Sequence, residues 1–89
     1  MRQPAYTTQF AKDLKRVRKR GKDVQKLKVV MSDLIDERPL APRYRDHLLV
    51  GNYQGRRECH IEPDWLLIYK LDEETIIFER TGAHADLFA

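Results

Sequence analysis

The first third of the chain has apolar residues at helical spacing. Phe10, Leu14 and Val17 recur three to four positions apart. Lysine and arginine fill most of the positions between them. Thr7 or Thr8 suits the N-cap of this helix, and Gly21 suits the left-handed position that follows a last turn. The pattern therefore predicts a first amphipathic helix that ends before Gly21.

A wider apolar stripe predicts a second helix. Its members recur on one face: Val24, Leu27, Val30, Met31, Leu34 and Ile35. Asp23 can cap the start of this helix, and Pro39 requires it to end earlier in the chain. Because only Gly21 and Lys22 separate the two helices, we predict an antiparallel helical hairpin whose apolar face needs a cover.

The second half of the chain supplies that cover as strands. Residues 65–71 and 76–80 are apolar runs joined by an acidic turn at 72–75, and residues 56–61 form a shorter strand before them. Residues 2–6 are predicted as an edge strand, where Pro4 is tolerated. The predicted fold class is α+β, with the helical hairpin packed on one face of a mostly antiparallel sheet in the order β-α-α-β-β-β, within a single domain of residues 1–89.

Residues 39–55 follow neither pattern and are predicted to be a connector. They include two prolines and two glycines, and Leu48 and Leu49 are expected to point inward. A connector of this length is uncommon in a compact domain, which favours a functional role.

Charge is divided unevenly along the chain. Residues 1–45 hold 13 Lys and Arg against 5 Asp and Glu, whereas residues 46–89 hold 4 against 9. The basic half suits a polyanion or an acidic protein partner, although a solvated helix surface gives the same pattern. The single cysteine, Cys59, leaves no internal disulfide. No apolar run is long enough to span a bilayer and no leader pattern is present, so we expect a cytoplasmic protein without a membrane partner.

The histidines and one acidic residue are the candidates for chemistry. His47 lies in the connector, His60 lies near the end of the strand at 56–61, and His84 follows the last strand. Each would be an ordinary surface residue if taken alone, and Asp64 can simply cap the turn after Pro63. Pairing of the two long strands, however, brings the Asp64 turn and His84 to one edge of the sheet, with His60 on the neighbouring strand. Alternation within that strand places the His60 side chain on the face shared by Glu58 and Glu62, opposite Cys59.

Two chemistries need such a set. Imidazoles and a carboxylate are good zinc ligands, but none of the spacings matches a compact ligand motif, so we predict no metal and no other cofactor. RNA cleavage by the ribose 2′-hydroxyl instead needs a base, an acid and a cation for the phosphate, roles that histidines and Arg80 suit. Phe88 and Trp65 are candidates to stack an unpaired base, and for Trp65 a place in the core is favoured because it opens an apolar strand.

Three motifs in the second half resemble a known family. They are Asp46-His47, then His60-Ile61-Glu62-Pro63-Asp64-Trp65 with the apolar run after it, and Glu79-Arg80-Thr81-Gly82-Ala83-His84 closing on Leu87-Phe88. These motifs closely resemble the YafQ-like branch of the RelE toxin superfamily. The resemblance implies a RelE-like microbial RNase fold and the toxin of a type II toxin–antitoxin pair. Such toxins cut messenger RNA in the ribosomal decoding site, and a cognate antitoxin neutralises them.

The resemblance also implies roles for individual residues. His47 corresponds to a general base and His84 to a general acid, while His60 and Asp64 orient groups and stabilise the transition state. The remaining two positions correspond to substrate contacts, namely Arg80 to phosphate and Phe88 to a base. The pattern departs from the family at Leu48 and at Asn52-Tyr53, near His47.

The partners implied are mRNA on the ribosome, ribosomal RNA contacted by the basic helices, and a cognate antitoxin in a hetero-oligomer that binds operator DNA through the antitoxin. Two alternatives remain at this point. One is a non-catalytic RelE-fold module that binds an antitoxin or acts as a co-repressor, and the other is a nuclease that needs no ribosome.

Overall fold

The computed structural model describes residues 1–88, so Ala89, the last residue of the predicted domain, lies outside the described residues. The elements in chain order are β1 (Gln3–Tyr6), α1 (Thr8–Lys19), α2 (Val24–Ile35), β2 (His47–Leu48), β3 (Arg57–Glu62), β4 (Trp65–Asp72), β5 (Thr75–Gly82) and α3 (His84–Phe88). Short 3-10 turns occur at Pro42–Tyr44 and Gly51–Tyr53. The predicted order therefore gains a strand from the connector and a helix at the C-terminal end.

The strands form one five-stranded sheet in the order β1-β5-β4-β3-β2. β1 runs parallel to β5, and the other neighbours are antiparallel. The predicted α+β class with a mostly antiparallel sheet is confirmed, and Pro4 lies on an edge strand as expected.

The helical hairpin forms as its capping residues predict. Thr7 Oγ1 accepts a hydrogen bond from the Phe10 amide at 2.9 Å, and Asp23 Oδ1 accepts one from the Gln25 amide at 3.0 Å. Gly21, with φ of +83°, supplies the left-handed backbone after α1. These local interactions turn the chain back on itself within four residues.

The two helices cover one face of the sheet and enclose the larger core. Its buried members include Phe10, Val17, Leu27, Val30 and Leu34 from the helices and Cys59, Trp65, Leu67, Tyr69, Ile76 and Phe78 from the strands. Trp65 is 1% exposed, and its indole N–H donates to Thr81 Oγ1 at 3.0 Å. The place predicted for Trp65 in the core is confirmed.

A second, smaller core lies on the opposite face. Leu66, Ile68 and Leu87 are buried there, with Leu49 and Tyr53 packed against them. α3 and the connector therefore cover part of the face that the predicted architecture left open. Leu49 points inward as expected, but the expectation for Leu48 is wrong, since it is 64% exposed. Successive residues of an extended chain point to opposite sides, so the segment that continues from β2 through Leu49 can bury only one of this pair.

A bulge in β3 changes the direction of Glu62. His60 pairs with Leu66 and Glu62 with Trp65, so Ile61 is the extra residue. Glu62 consequently turns to the helical face, where it bonds Lys22 Nζ at 2.8 Å and Lys26 Nζ at 3.1 Å. The prediction that Glu62 shares the His60 face is wrong, because alternation does not continue through a bulge.

The turn between β4 and β5 is tighter than predicted. Asp72 pairs directly with Thr75, which leaves a two-residue loop, and β5 continues to Gly82. A second bulge, at Glu79, brings Arg80 opposite Ile68. Within residues 1–88, no helix combines the length and apolar character needed to cross a membrane.

Candidate active site

Strand pairing arranges the candidate residues in two rows on the face covered by α3. The first row crosses four strands and consists of His47, Glu58, Ile68 and Arg80; the second consists of His60, Leu66 and Gly82. Paired residues on neighbouring strands point to the same side of a sheet, and positions two apart on β3 do so as well. The sheet therefore brings together residues that are up to 33 positions apart in the sequence.

The three histidine rings form a continuous group. The His47 and His60 ring centroids lie 6.2 Å apart, and those of His60 and His84 lie 5.9 Å apart. The Phe88 ring continues the line at 6.3 Å from His84. His60 is the central member and is the most buried, with 16% of its side chain exposed, whereas His47 and His84 are about half exposed.

Asp64 holds His84 through two hydrogen bonds. Asp64 Oδ1 accepts from the His84 backbone amide at 2.9 Å and from ring Nδ1 at 2.6 Å. These bonds, the backbone one first, hold the pKa of the Asp64 carboxyl below its usual value, so it is ionised at neutral pH and acts as an acceptor. Nδ1 of His84 therefore carries a proton, and Nε2 is the ring atom left to exchange a proton with a substrate.

His47 has an acceptor at each ring nitrogen. Its Nδ1 lies 2.7 Å from the Arg45 carbonyl oxygen, and its Nε2 lies 3.0 Å from Glu58 Oε2. Glu58 was not among the predicted site residues, although alternation placed it on the His60 face. Its burial, with 7% of the side chain exposed, depends on β2 and β4 flanking β3 and is not visible in the local pattern.

Arg80 is anchored by a buried carboxylate in α1. Its Nε and Nη2 donate to Asp13 at 2.7 and 3.3 Å, and Asp13 is fully buried. The Asp13 hydrogen bond raises the pKa of Arg80 above its already high value, so the guanidinium stays charged. Asp13 also accepts from the Thr81 amide at 3.1 Å and from Arg16 Nη2 at 2.9 Å.

Asp13 was likewise absent from the predicted site. The sequence did contain an indication of its role. Asp13 lies three residues after Phe10 and four before Val17, and thus on the apolar side of α1. A carboxylate on a core-facing position requires a partner, and two arginines and a backbone amide supply it here.

α3 carries His84 and Phe88 and is fixed to α1 by Asp86. Asp86 accepts from Arg20 Nη1 at 2.6 Å and Nη2 at 3.1 Å, and from the Ala83 amide at 2.9 Å. These bonds, with the Arg20 contact first, lower the pKa of Asp86 from 3.8 to about 2. Gly82, with φ of +154°, lets the chain turn into α3, and a Cβ there would lie 2.9 Å from Asp86 Oδ2.

Phe88 presents its ring beside the histidines. It is 46% exposed and meets the Tyr53 ring edge-on at a centroid distance of 5.5 Å. Tyr53 donates its hydroxyl to the Leu87 carbonyl at 3.2 Å. The departure from the family pattern at Asn52-Tyr53 thus supplies the side chain that supports Phe88.

A cavity of about 800 Å³ opens beside this group. His60 and His84 line it together with Tyr44, three cations, Lys26, Arg43 and Arg45, and one carboxylate, Glu62, which bonds Lys26, so the charged lining is positive on balance. Its positive charge suits an anionic ligand. In the part of the chain that the structure describes, no group of three or more His, Cys, Asp or Glu side chains is arranged to hold a metal ion.

Comparison with known proteins assigns the family. The family model described as bacterial toxin of type II toxin-antitoxin system, YafQ, matches residues 2–89. Over 84 residues the chain is 51% identical to the mRNA interferase toxin YafQ of Escherichia coli K12, a match that covers 93% of this chain and 91% of that protein. The fold matches crystal structures of YafQ from E. coli BL21(DE3), with 48% identity and a TM-score of 0.95, and of the E. coli DinJ–YafQ complex, with 49% identity and a TM-score of 0.93, each over 100% of both chains. The chain therefore belongs to the YafQ family of bacterial toxins of type II toxin–antitoxin systems.

Proposed function

We propose that this protein is a ribosome-dependent endoribonuclease that cuts messenger RNA in the decoding site, in the cytoplasm, and that a cognate antitoxin neutralises it. The family to which the chain belongs, and its 51% sequence identity with an mRNA interferase of E. coli, support the reaction class. The observation that carries the proposal is the group of three histidine rings, with His84 held by Asp64, on an accessible face of the sheet.

The proposed reaction is attack of the ribose 2′-oxygen on the neighbouring phosphorus. His47, with His60 beside it, takes the 2′-hydroxyl proton as the O2′–P bond forms. The P–O5′ bond breaks, and His84 gives the proton on its Nε2 to the departing 5′-oxygen. The products are a 2′,3′-cyclic phosphate and a free 5′-hydroxyl. Asp64 supports the acid role of His84, because it binds Nδ1 and directs Nε2 away from itself.

Arg80 is proposed to stabilise the negative charge that develops on the phosphate. Asp13 binds two of its three nitrogens, and Arg16 shares the same carboxylate, so the trio keeps a net positive charge. A fixed cation contributes more to the transition state than a mobile one because it needs no reorganisation during the reaction. Phe88 is proposed to stack on the base next to the scissile phosphate, since its ring is exposed beside His84.

The basic face of α1 is proposed to contact ribosomal RNA. Arg16 and Arg20 are engaged by Asp13 and Asp86, whereas other cations of this helix are exposed and form no ion pair within residues 1–88: Lys12, Lys15, Arg18 and Lys19. Cations of this kind bind phosphates and concentrate a protein on RNA. The ribosome then positions the message, which explains how a site of so few groups can act.

A cognate antitoxin is proposed by analogy with the E. coli DinJ–YafQ complex. An acidic antitoxin segment would cover the same exposed lysines and exclude ribosomal RNA. The hetero-oligomer would bind operator DNA through the antitoxin.

The central test is His84→Ala in a cell-free translation reaction, with cleavage sites mapped on the message. The wild-type protein should cut translated message, and the variant should be slower by about 10²–10⁴-fold, because it lacks the acid. Asp72→Asn, at an exposed position that ends β4 beside the β4–β5 turn, is the matched control and should cut as the wild type does.

Three other outcomes would count against the proposal. Equal cutting of naked and translated RNA would contradict ribosome dependence. Unchanged cutting by His84→Ala would remove His84 from the mechanism. Growth arrest without cut messages, unaffected by that substitution, would favour the non-catalytic antitoxin-binding module.

A further inference from the structure

Glu58 is a buried carboxylate beside two members of the histidine group. It lies on β3, between His47 of β2 and Ile68 of β4. Its Oε2 lies 3.0 Å from His47 Nε2 and 4.0 Å from His60 Nε2, and within residues 1–88 it has no ion pair with lysine or arginine. Two histidines are thus the basic groups within 4.0 Å of its carboxylate.

The second oxygen of Glu58 has no partner. Oε1 is buried and makes no hydrogen bond among the described residues. A buried carboxylate oxygen without a donor costs free energy, and native proteins retain such groups chiefly where they serve a function. A purely structural role would be served as well by an amide or an apolar side chain.

The contacts of His47 distinguish its two ring nitrogens. The Arg45 carbonyl can only accept a hydrogen bond, so Nδ1 of His47 carries a proton. Nε2, the nitrogen left to take up a proton, lies 3.0 Å from Glu58 Oε2. A proton taken up by His47 acting as a base would therefore arrive beside the Glu58 carboxylate.

We propose that Glu58 is a positioning residue for the cleavage reaction: it orients the His47 ring through Nε2 and acts as the common counter-charge of His47 and His60 when either ring takes the 2′-hydroxyl proton. The role rests on the proposed function. As the proton leaves O2′, the new positive charge forms 3.0–4.0 Å from a carboxylate that is shielded from water, where electrostatic attraction is strong.

Other charged groups surround this pair and define its environment. His84 lies on the far side of His60 and is itself paired with Asp64, and Arg80 lies in the same row as Glu58, beyond Ile68. Because Asp64 serves His84 and Asp13 serves Arg80, Glu58 is the carboxylate left to serve His47 and His60.

The test compares Glu58→Gln, which keeps shape but not charge, with Glu58→Asp, which keeps charge. Long-range ¹H–¹⁵N spectra of the free toxin, recorded as the pH is lowered, report when each ring nitrogen becomes protonated. In Glu58→Gln, Nε2 of His47 should gain its proton at a lower pH than in the wild type while Nδ1 stays protonated, because the ring has lost its counter-charge, and Glu58→Asp should retain part of the wild-type behaviour. His84 should be unchanged in both variants. Glu79→Gln, which alters a carboxylate paired with Arg56 on the same sheet, is the matched control and should leave all three rings unchanged.

Activity on translating ribosomes gives the second readout. Glu58→Gln should lower kcat by at least about tenfold with little change in KM, and should move the acidic limb of the pH–rate profile to lower pH by about one unit, because a base without its counter-charge loses its proton more readily. Glu58→Asp should restore part of both. If Glu58 had only a structural role, the substitution would lower the amount of active protein and leave the pH–rate profile unchanged.

Identical ring spectra in the wild type and Glu58→Gln, or a variant with full activity and an unmoved profile, would overturn the inference. A failure of the proposed function can be told apart from a failure of this inference. A wild-type protein that cuts no message would still show whether protonation of the His47 ring depends on Glu58.

Discussion

Trp65 illustrates at the residue scale how neighbours decide between two roles that suit the same side chain. An aromatic ring beside a candidate RNA site can stack on a base or fill a core. Here the ring is 1% exposed, its N–H donates to Thr81 Oγ1, and that hydroxyl donates to the Leu66 carbonyl at 2.7 Å. The indole is thus unavailable to RNA, and among the aromatic candidates Phe88 is the one whose ring is exposed at the site.

Truncation of Trp65 should destabilise the fold strongly. Trp65→Ala should lower the free energy of unfolding by about 3–5 kcal/mol, because it leaves a cavity between the helices and the sheet. Trp65→Phe keeps most of the ring and should cost less. Urea denaturation followed by circular dichroism measures both, and a decrease below about 1 kcal/mol for the alanine variant would contradict the core assignment.

Asp13 and Glu58 show what local pattern does not reveal about single residues. Both are carboxylates at positions where helical or strand periodicity is visible in the sequence, yet each owes its burial to neighbours that are distant in the chain. Asp13 binds Arg80, which is 67 residues away in the chain. Glu58 lies beside His47, which belongs to β2, a strand that periodicity did not predict. Their importance follows from those contacts.

α3 is the element whose placement depends most on tertiary contacts. A helix of five residues is too short to be stable alone, so its position comes from Leu87 in the second core and from Asp86 bound to Arg20 and the Ala83 amide. Because His84 begins this helix, the same contacts determine where the proposed acid lies.

The contribution of Asp86 should depend on pH. Its pKa is lowered on folding from 3.8 to about 2, so the ionised form stabilises the folded state. That contribution is complete above about pH 4 and is lost as the pH falls through about 2. The difference in unfolding free energy between the wild type and Asp86→Asn should therefore be about 1 kcal/mol at pH 5, since solvent screens part of the attraction, and should shrink toward zero near pH 2.

Urea denaturation at several pH values measures this difference. Asp72→Asn, at an exposed carboxylate without an ion pair among the described residues, is the control and should show a small effect throughout. A difference that stays constant from pH 5 to pH 2 would show that Asp86 acts through something other than its charge.

At the scale of the whole molecule, the basic helix and the histidine site are proposed to serve different steps. The exposed lysines of α1 project from the helix that also anchors Arg80 through Asp13, so a surface proposed to bind the ribosome is rigidly joined to the site proposed to cut the message. Binding of α1 to ribosomal RNA would then place the histidines at a defined distance from the decoding site.

Removal of positive charge from α1 should weaken binding to the ribosome without changing the stability of the fold. A triple variant, Lys12→Gln, Lys15→Gln and Lys19→Gln, should reduce the slope of log affinity against log salt by about 0.7–0.9 for each phosphate that is no longer neutralised. Lys70→Gln on β4 is the control. Filter binding to ribosomes at several salt concentrations measures the slope, and a slope equal to that of the wild type would exclude these lysines from the interface.

The sequence by itself determined the helical hairpin, its caps and the three long strands, because side-chain periodicity and capping act within a few residues. Gly21, Thr7 and Asp23 occupy the predicted positions for this reason. It also indicated the histidines and Asp64 as a group, since strand pairing across a short turn leaves little freedom in where strand ends lie.

Only the tertiary structure decided the remaining features. β2 and α3 are held by segments that are distant in the chain. The bulges at Ile61 and Glu79 are visible only in the pairing between strands, and a bulge reverses the direction of every later side chain in its strand. The burial of Asp13 and Glu58 arises in the same way. Interactions between residues far apart in the chain depend on the complete fold, so periodicity along a single segment does not predict them.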